Sequence, residues 1–378
     1  MINLPARFLA LDVFRGITIC FMIIVNTPGS GADAFAPLQH AQWHGFTPTD
    51  LVFPSFLFAV GNAMSFGINK SLLQSNGVYL SRMFKRTLLI FMLGYLMYWF
   101  PFFQINDQGH FALKPIGDTR IMGVLQRIAL CYFFASLMTR FLTQKMVVAV
   151  SVLLLVGYWF LLLVFGDHLH PFGMQTNAGQ YLDQALLGDR HLYNGEGVAF
   201  DPEGILSTIP AIVNVIIGFY AGKFIQDRGK NYETISKLLL MGALLLLIAL
   251  SWNMVFPINK KLWTSSFVLL TTGIDLLLIA ALLYTVELRN WNKGNWTRFF
   301  TILGKNPLFI YLLSEILLIL LFMIQVDANT SFYAWVNNVF FQAIAPGAIG
   351  SLLFAIAFMM VCWTIGWILD KKNIYIRV

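Results

Sequence analysis

Charge is the scarcest property of this chain. Only 11% of its 378 residues are Asp, Glu, Lys or Arg, against 58% hydrophobic; a soluble domain carries about 25% charged residues. This excludes a large soluble domain and leaves a polytopic membrane protein. Cysteine is nearly as rare. Cys20, Cys131 and Cys362 all sit in apolar runs, so buried thiols are expected and a disulfide framework is not. There is no HExxH pattern and no cysteine beside a histidine pair, so no metal site is expected. No small-residue cleavage site follows the opening MINLPARFLALDVFRG, and the first apolar stretch reads as a retained span, not a signal peptide. Nor does the net charge of +7 point to nucleic acid, because membrane proteins gather Lys and Arg on cytoplasmic loops. With no internal repeat, low-complexity tract or linker, one all-α transmembrane domain is expected over residues 1–378.

What the chain has is long apolar runs. A span needs roughly 20 mostly apolar residues, and ten segments meet that length: 8–26, 49–69, 83–101, 121–139, 146–166, 204–225, 235–253, 263–285, 302–324 and 347–369. Basic residues crowd one alternating set of loops. The other set holds only Lys114, Arg120, Arg190, Lys260 and Lys261. The bias predicts ten helices with both termini cytoplasmic. All six histidines, at 40, 44, 110, 168, 170 and 191, then fall on the opposite face.

Titratable chemistry concentrates in HAQWHGFTPTDLVFPSFLFAVG, from His40 to Gly61. His40 suits a catalytic base, since a neutral imidazole can take a proton from an amine or hydroxyl near neutral pH or accept an acyl group itself. A solvated loop side chain is the alternative. His44 is a second participant four residues on, and Trp43 is either an interfacial anchor or a platform for a sugar ring. Thr47-Pro48-Thr49-Asp50 reads as a helix start, with Thr47 as N-cap and Asp50 as the acid of a capping box. Asp50 could alternatively orient His40. Pro54 is expected to kink the helix that follows. Upstream, Asn26 precedes TPGSG, where Pro28, Gly29 and Gly31 break the first span.

Charges inside spans are costly and mark pairs or functional sites. Asp12 and Arg15 are three apart in LDVFRG and can pair. Arg120 and Arg127 share a helix face. Arg127 lies within a span and needs an anion, either Glu315 or the phosphates of a bound cofactor. Asp201 and Glu203, at the mouth of the sixth span, are either helix-start acids or ligands for an amine or sugar hydroxyls. Lys305 lies in GKNPLFIYLLSE at the start of the ninth span, and Asp275 lies deep in the eighth.

The ordered motifs LDVFRG, VN with its break, HAQWHGFTPTDLVFPSFLFAVG, DTRIMGVLQR, LLGDRHLY, FDPEGILSTI, INKKLWTSSF and GKNPLFIYLLSE resemble the heparan-α-glucosaminide N-acetyltransferase family and its bacterial NagX-like relatives. The resemblance covers nearly the whole chain. It implies a membrane enzyme that moves an acetyl group from cytoplasmic acetyl-CoA to an amino sugar or glycan on the far side. His40 takes the catalytic position, with Asn26 beside it as an oxyanion donor. Trp43, His44, Asp50, Asp201 and Glu203 would meet the acceptor, and Arg15, Arg127 and Lys305 the phosphates of acetyl-CoA. Lysosomal members carry Asn at the position of His44. The same resemblance implies a multi-pass protein of the bacterial inner membrane and a homodimer. The competing expectation is an amino-sugar or muropeptide transporter without acyl transfer.

Overall fold

The computed structural model describes residues 8–29, 34–105 and 110–376; Gly31, read above as part of the first break, lies outside them. Helices dominate: α1 (Leu9–Asn26), α2 (Val52–Leu72), α3 (Asn76–Trp99), α4 (Val124–Phe141), α5 (Gln144–Phe165), α6 (Ala178–Leu187), α7 (Thr208–Arg228), α8 (Tyr232–Trp252) and α9 (Ser265–Leu282). They are followed by α10 (Trp296–Lys305), α11 (Pro307–Met323), the short α12 (Phe332–Val336) and α13 (Gln342–Ile344), and α14 (Ala348–Lys371). Sheet is confined to two antiparallel hairpins, β1 (Phe103–Ile105) with β2 (Phe111–Leu113) and β3 (Gln325–Asp327) with β4 (Thr330–Ser331). In the first, Phe103 pairs with Leu113 and Gln104 with Ala112.

All ten expected segments contain helix, but they are not ten equivalent spans. Among the described residues, seven helices are long and apolar enough to cross a membrane. An eighth crossing requires counting α10 and α11 together, and these meet at 82°. The expected continuous span 302–324 is therefore broken. Its cause is local: Pro307 has no N–H to donate, and Asn306 before it takes φ −126°, ψ 53°, outside the helical region. The Asn306 side chain fills its hydrogen bonds instead with the backbone of Ile374 and Ile376. The segments 83–101 and 121–139 correspond to α3 and α4. These are less apolar, because Arg82, Lys85 and Arg86 ride on one and Arg127 and Arg140 on the other.

Inner and outer helices separate by burial. In α7 and α9, 72% of the apolar window is buried within the bundle, against 22% in α5 and 28% in α8. The inner helices approach closely where side chains are absent. A Cβ on Gly218 of α7 would lie 2.1 Å from the Phe58 carbonyl of α2, and one on Gly16 of α1 would lie 1.8 Å from the Phe300 carbonyl of α10. Only glycine permits such crossings. Pro54 produces no mid-helix kink. It falls in the first turn of α2, where the missing N–H has no helical partner to lose, and the irregularity is a 3₁₀ turn at Pro48–Leu51.

The loops sort into two ends, as the alternation of basic residues requires. Residues from separate expected outside loops touch one another: Trp43 donates from Nε1 to the Phe172 carbonyl at 2.9 Å, Lys261 pairs with Glu196 at 2.5 Å, and Arg120 with Asp201 at 2.7 Å. At the opposite end Arg15 donates to the Gly304 carbonyl and Lys305 pairs with Asp370.

Candidate active site

The loop before α2 folds around one carboxylate. Asp50 is 1% exposed. Its Oδ2 accepts the Thr47 N–H at 2.9 Å, the Thr47 hydroxyl at 3.1 Å and the Ala41 N–H at 3.2 Å. This is the expected capping-box acid. Its other oxygen, Oδ1, meets His40 Nδ1 at 2.7 Å. The two readings of Asp50 were therefore not alternatives, since each oxygen serves one of them. A carboxylate on Nδ1 fixes that nitrogen as the protonated one and leaves Nε2 as the basic site. Thr49, from the same turn, donates to the Pro37 carbonyl at 3.0 Å and anchors the approach to His40.

His40 lines a chamber of about 190 Å³ together with Asn26, Thr49, Glu203, Lys260 and Tyr311. The chamber's inner wall is apolar and includes Phe56 and Ile128. Asn26, at the end of α1, hydrogen-bonds through its side chain to Glu315 of α11. Lys260, counted in the sequence only as an outside-loop cation, puts Nζ 3.1 Å from His40 Nδ1 and 3.2 Å from Nε2. Burial pulls its ammonium below the ordinary lysine range, opposed by the charges of Asp50 and Glu203. No spacing rule links positions 40 and 260; their one shared sign was that both lie in expected outside loops.

The remaining acceptor-side residues divide. Glu203 reaches the chamber. Burial would raise its carboxyl, but the charges of Arg120, Arg127 and Lys260 outweigh burial and hold it below the ordinary range. Asp201 does not line the chamber: both its oxygens receive Arg120, at 2.9 and 2.7 Å. Arg120 also donates to Glu203 at 2.5 Å and stacks on the rings of Tyr98 and Tyr193. Trp43 is held by Phe172 and packs edge-on against Phe200 and His44, away from the chamber lining. His44 is exposed, with Nδ1 3.4 Å from Asn259, and partial burial lowers its imidazole below the usual value.

A second cavity, about 620 Å³, opens at the other end of the bundle. Its lining includes Arg15, Arg86, Lys305, Asp12 and Tyr375, and it shares Phe56 and Ile128 with the first. Two of the three expected donor-side cations are here. Arg15 lies 3.8 Å from Asp12, as expected, and Lys305 pairs with Asp370 at 2.5 Å. Arg86 is a third that sequence reasoning left among ordinary loop charges. Arg127 is elsewhere. Its guanidinium is fully buried, donates to the Gly204 carbonyl at 3.2 Å and to the Ser207 hydroxyl, and stacks on Trp263 at 4.8 Å. Its expected partner Glu315 is engaged by Asn26 instead, and the nearby negative charges are those of Glu203 and Asp201. Asp275, likewise fully buried, accepts from Ser55 at 2.5 Å. Among the described residues, no group of three or more His, Cys, Asp or Glu side chains is arranged to hold a metal ion.

A family model described as Heparan-alpha-glucosaminide N-acetyltransferase, catalytic, matches residues 7–253. The Homo sapiens protein named Heparan-alpha-glucosaminide N-acetyltransferase is 29% identical over 369 residues, covering 83% of this chain and 53% of the human one. Its Mus musculus namesake is 28% identical over 368 residues, covering 82% and 54%. The chain thus spans about half the length of the curated relatives it matches. The matched segment holds His40 and Glu203 of the chamber, Asp50 behind His40 and most of the inner helices, and the chain belongs to the heparan-alpha-glucosaminide N-acetyltransferase catalytic family.

Proposed function

We propose that this chain is a membrane-embedded acetyltransferase that takes an acetyl group from acetyl-CoA at the cytoplasmic end and delivers it to an amino group on an amino sugar or glycan at the other. One observation carries the reading: two cavities lie end to end in one bundle, separated by Phe56 and Ile128. One holds a histidine–aspartate pair and the other a set of cations. The residues present fit the donor, because the phosphates of acetyl-CoA require cations and Arg15, Arg86 and Lys305 supply them around an open cavity. The thioester supplies an activated acyl carbon. The buried Arg127 is assigned to holding the Gly204–Ser207 turn that carries Glu203, and not to the phosphates.

In this scheme Asp50 orients His40, and Nε2 takes the proton from the acceptor amine as its lone pair attacks the acetyl carbon. The carbon–sulfur bond breaks, the new carbon–nitrogen bond completes the amide, and the proton passes from His40 to the departing thiolate. Glu203 lines the chamber where it can accept from the acceptor's hydroxyl groups. The multi-pass helices support a reaction within a membrane, and the basic-loop bias supports a donor cavity on the cytoplasmic face of a bacterial inner membrane.

The test is acetyl transfer from radiolabelled acetyl-CoA to glucosamine in proteoliposomes. The wild-type chain forms labelled product, and His40→Ala, eluting and melting like the wild type, forms none. Retained transfer by His40→Ala would overturn the assignment. Uptake of labelled glucosamine without acetyl-CoA, and without product, would replace it with transport.

A further inference from the structure

Lys260 pairs with Asp50 only at long range, and its closest contact is His40. Asp50 already has its hydrogen bonds. One oxygen receives His40, the other receives three donors from Thr47 and Ala41, and Lys260 Nζ stands 3.9 Å from the nearer oxygen. That is an ion pair without a hydrogen bond, longer than the donor–acceptor range. Nζ instead sits within 3.2 Å of both ring nitrogens of His40. An ammonium carries three donors, and Lys260 lines the chamber beside His40.

The turn that presents Lys260 is heavily determined. The Asn259 side chain accepts the Leu262 N–H at 2.9 Å, its N–H donates to the Thr264 hydroxyl at 3.0 Å, and the Trp263 N–H closes on the Lys260 carbonyl at 3.0 Å. Trp263 is fully buried at φ +54° and is held there by Asn214, which accepts its Nε1–H at 3.0 Å. A bulky residue at positive φ is strained and persists only where its surroundings over-determine it. The neighbouring lysine does a different job: Lys261 ties the turn to the His40 loop through the Gln42 carbonyl at 2.9 Å and to Glu196. Lys260 also lies beyond residues 7–253, the extent of the family match.

We propose, resting on the acetyltransferase reading above, that Lys260 is the catalytic cation of the acyl-transfer step, donating to the thioester carbonyl oxygen as negative charge develops on it. An amine bonded to Nε2 of His40 and attacking the acetyl carbon leaves the carbonyl oxygen within reach of Nζ. The carbonyl pair moves to oxygen as the carbon–nitrogen bond forms, and returns as the carbon–sulfur bond breaks. A fixed cation in a chamber walled by apolar side chains stabilises that oxyanion more than water does. The same charge disfavours an acceptor that arrives as ammonium and so favours the nucleophilic free amine. Asn26, the donor expected from sequence, shares its amide with Glu315 and carries no charge.

The experiment measures steady-state acetyl transfer to glucosamine by the full chain in proteoliposomes for wild type, His40→Ala, Lys260→Met and Lys260→Arg. Lys260→Met is expected to lower kcat by about 10²–10³-fold, the loss typical of an oxyanion donor, with both KM values within about threefold and elution unchanged. Lys260→Arg recovers at least a tenth of the lost rate. If Lys260→Met does not fold, Lys260→Cys provides the second route: inactive as made, and reactivated by 2-bromoethylamine, which rebuilds an ammonium at the same reach. Cys20, Cys131 and Cys362 are buried and do not compete. A wild-type-like kcat in Lys260→Met, a change confined to KM, or no recovery by either the arginine or the rebuilt ammonium overturns the proposal while leaving the acetyltransferase reading intact. A wild-type chain that transfers no acetyl group overturns both.

Discussion

The His40 chamber and the cavity lined by Arg15, Arg86 and Lys305 are built on opposite plans. The outer one is small, and its polar groups lock one another: Asp50 uses both oxygens, His40 touches Asp50 and Lys260, and Asn26 is bound to Glu315. The inner one is more than three times larger, and its cations Arg15, Arg86 and Lys305 come from three different helices. Pre-organised contacts suit chemistry at one small group, because a misplacement of about 1 Å can cost 10²-fold in rate. Dispersed charges on long side chains suit a large polyanion, which needs neutralisation more than angular accuracy. The shared wall of Phe56 and Ile128 is where the two plans meet, and on the proposed acyl-transfer reading a donor anchored in one cavity presents its acyl end to the other there.

The contrast predicts opposite kinetic signatures. The largest effect after loss of His40 itself is expected for Asp50→Asn. It removes the charge that fixes the imidazole tautomer and should lower kcat by about 10³–10⁴-fold, by analogy with other histidine–aspartate pairs, with the KM for acetyl-CoA unchanged. A kcat within tenfold of wild type would reduce Asp50 to a helix cap. In the inner cavity, Arg86→Ala should raise the KM for acetyl-CoA by about 10–100-fold, corresponding to one charge-assisted contact of about 1.5–3 kcal/mol, while kcat at saturation holds. The same variant should discriminate less between acetyl-CoA and a donor lacking the 3′-phosphate. If kcat falls and KM stays, the division of labour between the cavities is wrong.

A third prediction concerns how the outer loops are held. Asp183 of α6 is 3% exposed, and its Oδ1 accepts the Ile205 N–H at 2.9 Å, which clamps the turn after Glu203. Burial first, and then the charge of Asp201, push its carboxyl up to about 7, against the opposing hydrogen bond from Ile205. The folded state therefore holds this proton more tightly than the unfolded chain, whose Asp titrates near 3.9. Stability should fall as pH rises from about 4 to about 7, and level off above that. Asp183→Asn keeps the acceptor for Ile205 and removes the titration, so its melting temperature should vary less over that window. Equal pH dependence in both chains would sink the assignment. The smallest effect is expected at Trp43. Trp43→Phe removes the hydrogen bond to Phe172 but keeps an aromatic against Phe200, so it should cost about 1 kcal/mol of stability and change kcat less than twofold. A large loss of acceptor affinity would instead make Trp43 a sugar platform.

Local chemistry was legible residue by residue. Thr47, Pro48 and Asp50 announced a helix start, because capping depends on atoms three residues apart. Asp12 and Arg15 paired as their spacing required. The break at Asn306–Pro307 was also open to reading, since a residue before proline avoids the helical region, yet the unbroken apolarity of 302–324 led to one continuous span. Apolarity records what a segment can be buried in, not whether it is straight. Arg127 was the deeper error. It was expected against Glu315 or cofactor phosphates, whereas its guanidinium donates to the Gly204 carbonyl and the Ser207 hydroxyl. Only packing decides that Glu315 faces Asn26 while Asp201 and Glu203 take Arg120.

By itself the sequence determined that this chain is a helical membrane protein, that its loops divide into two faces, and that His40 and Asp50 belong to one turn. Each of these rests on composition or on contacts between near neighbours along the chain. The tertiary structure alone decided that Lys260 stands against His40, that Arg86 joins Arg15 and Lys305, and that two cavities share Phe56 and Ile128. Those facts join residues tens to hundreds of positions apart, and depend on how closely glycine-lined helices cross and where α10 turns into α11. No periodicity in a single chain encodes such distances.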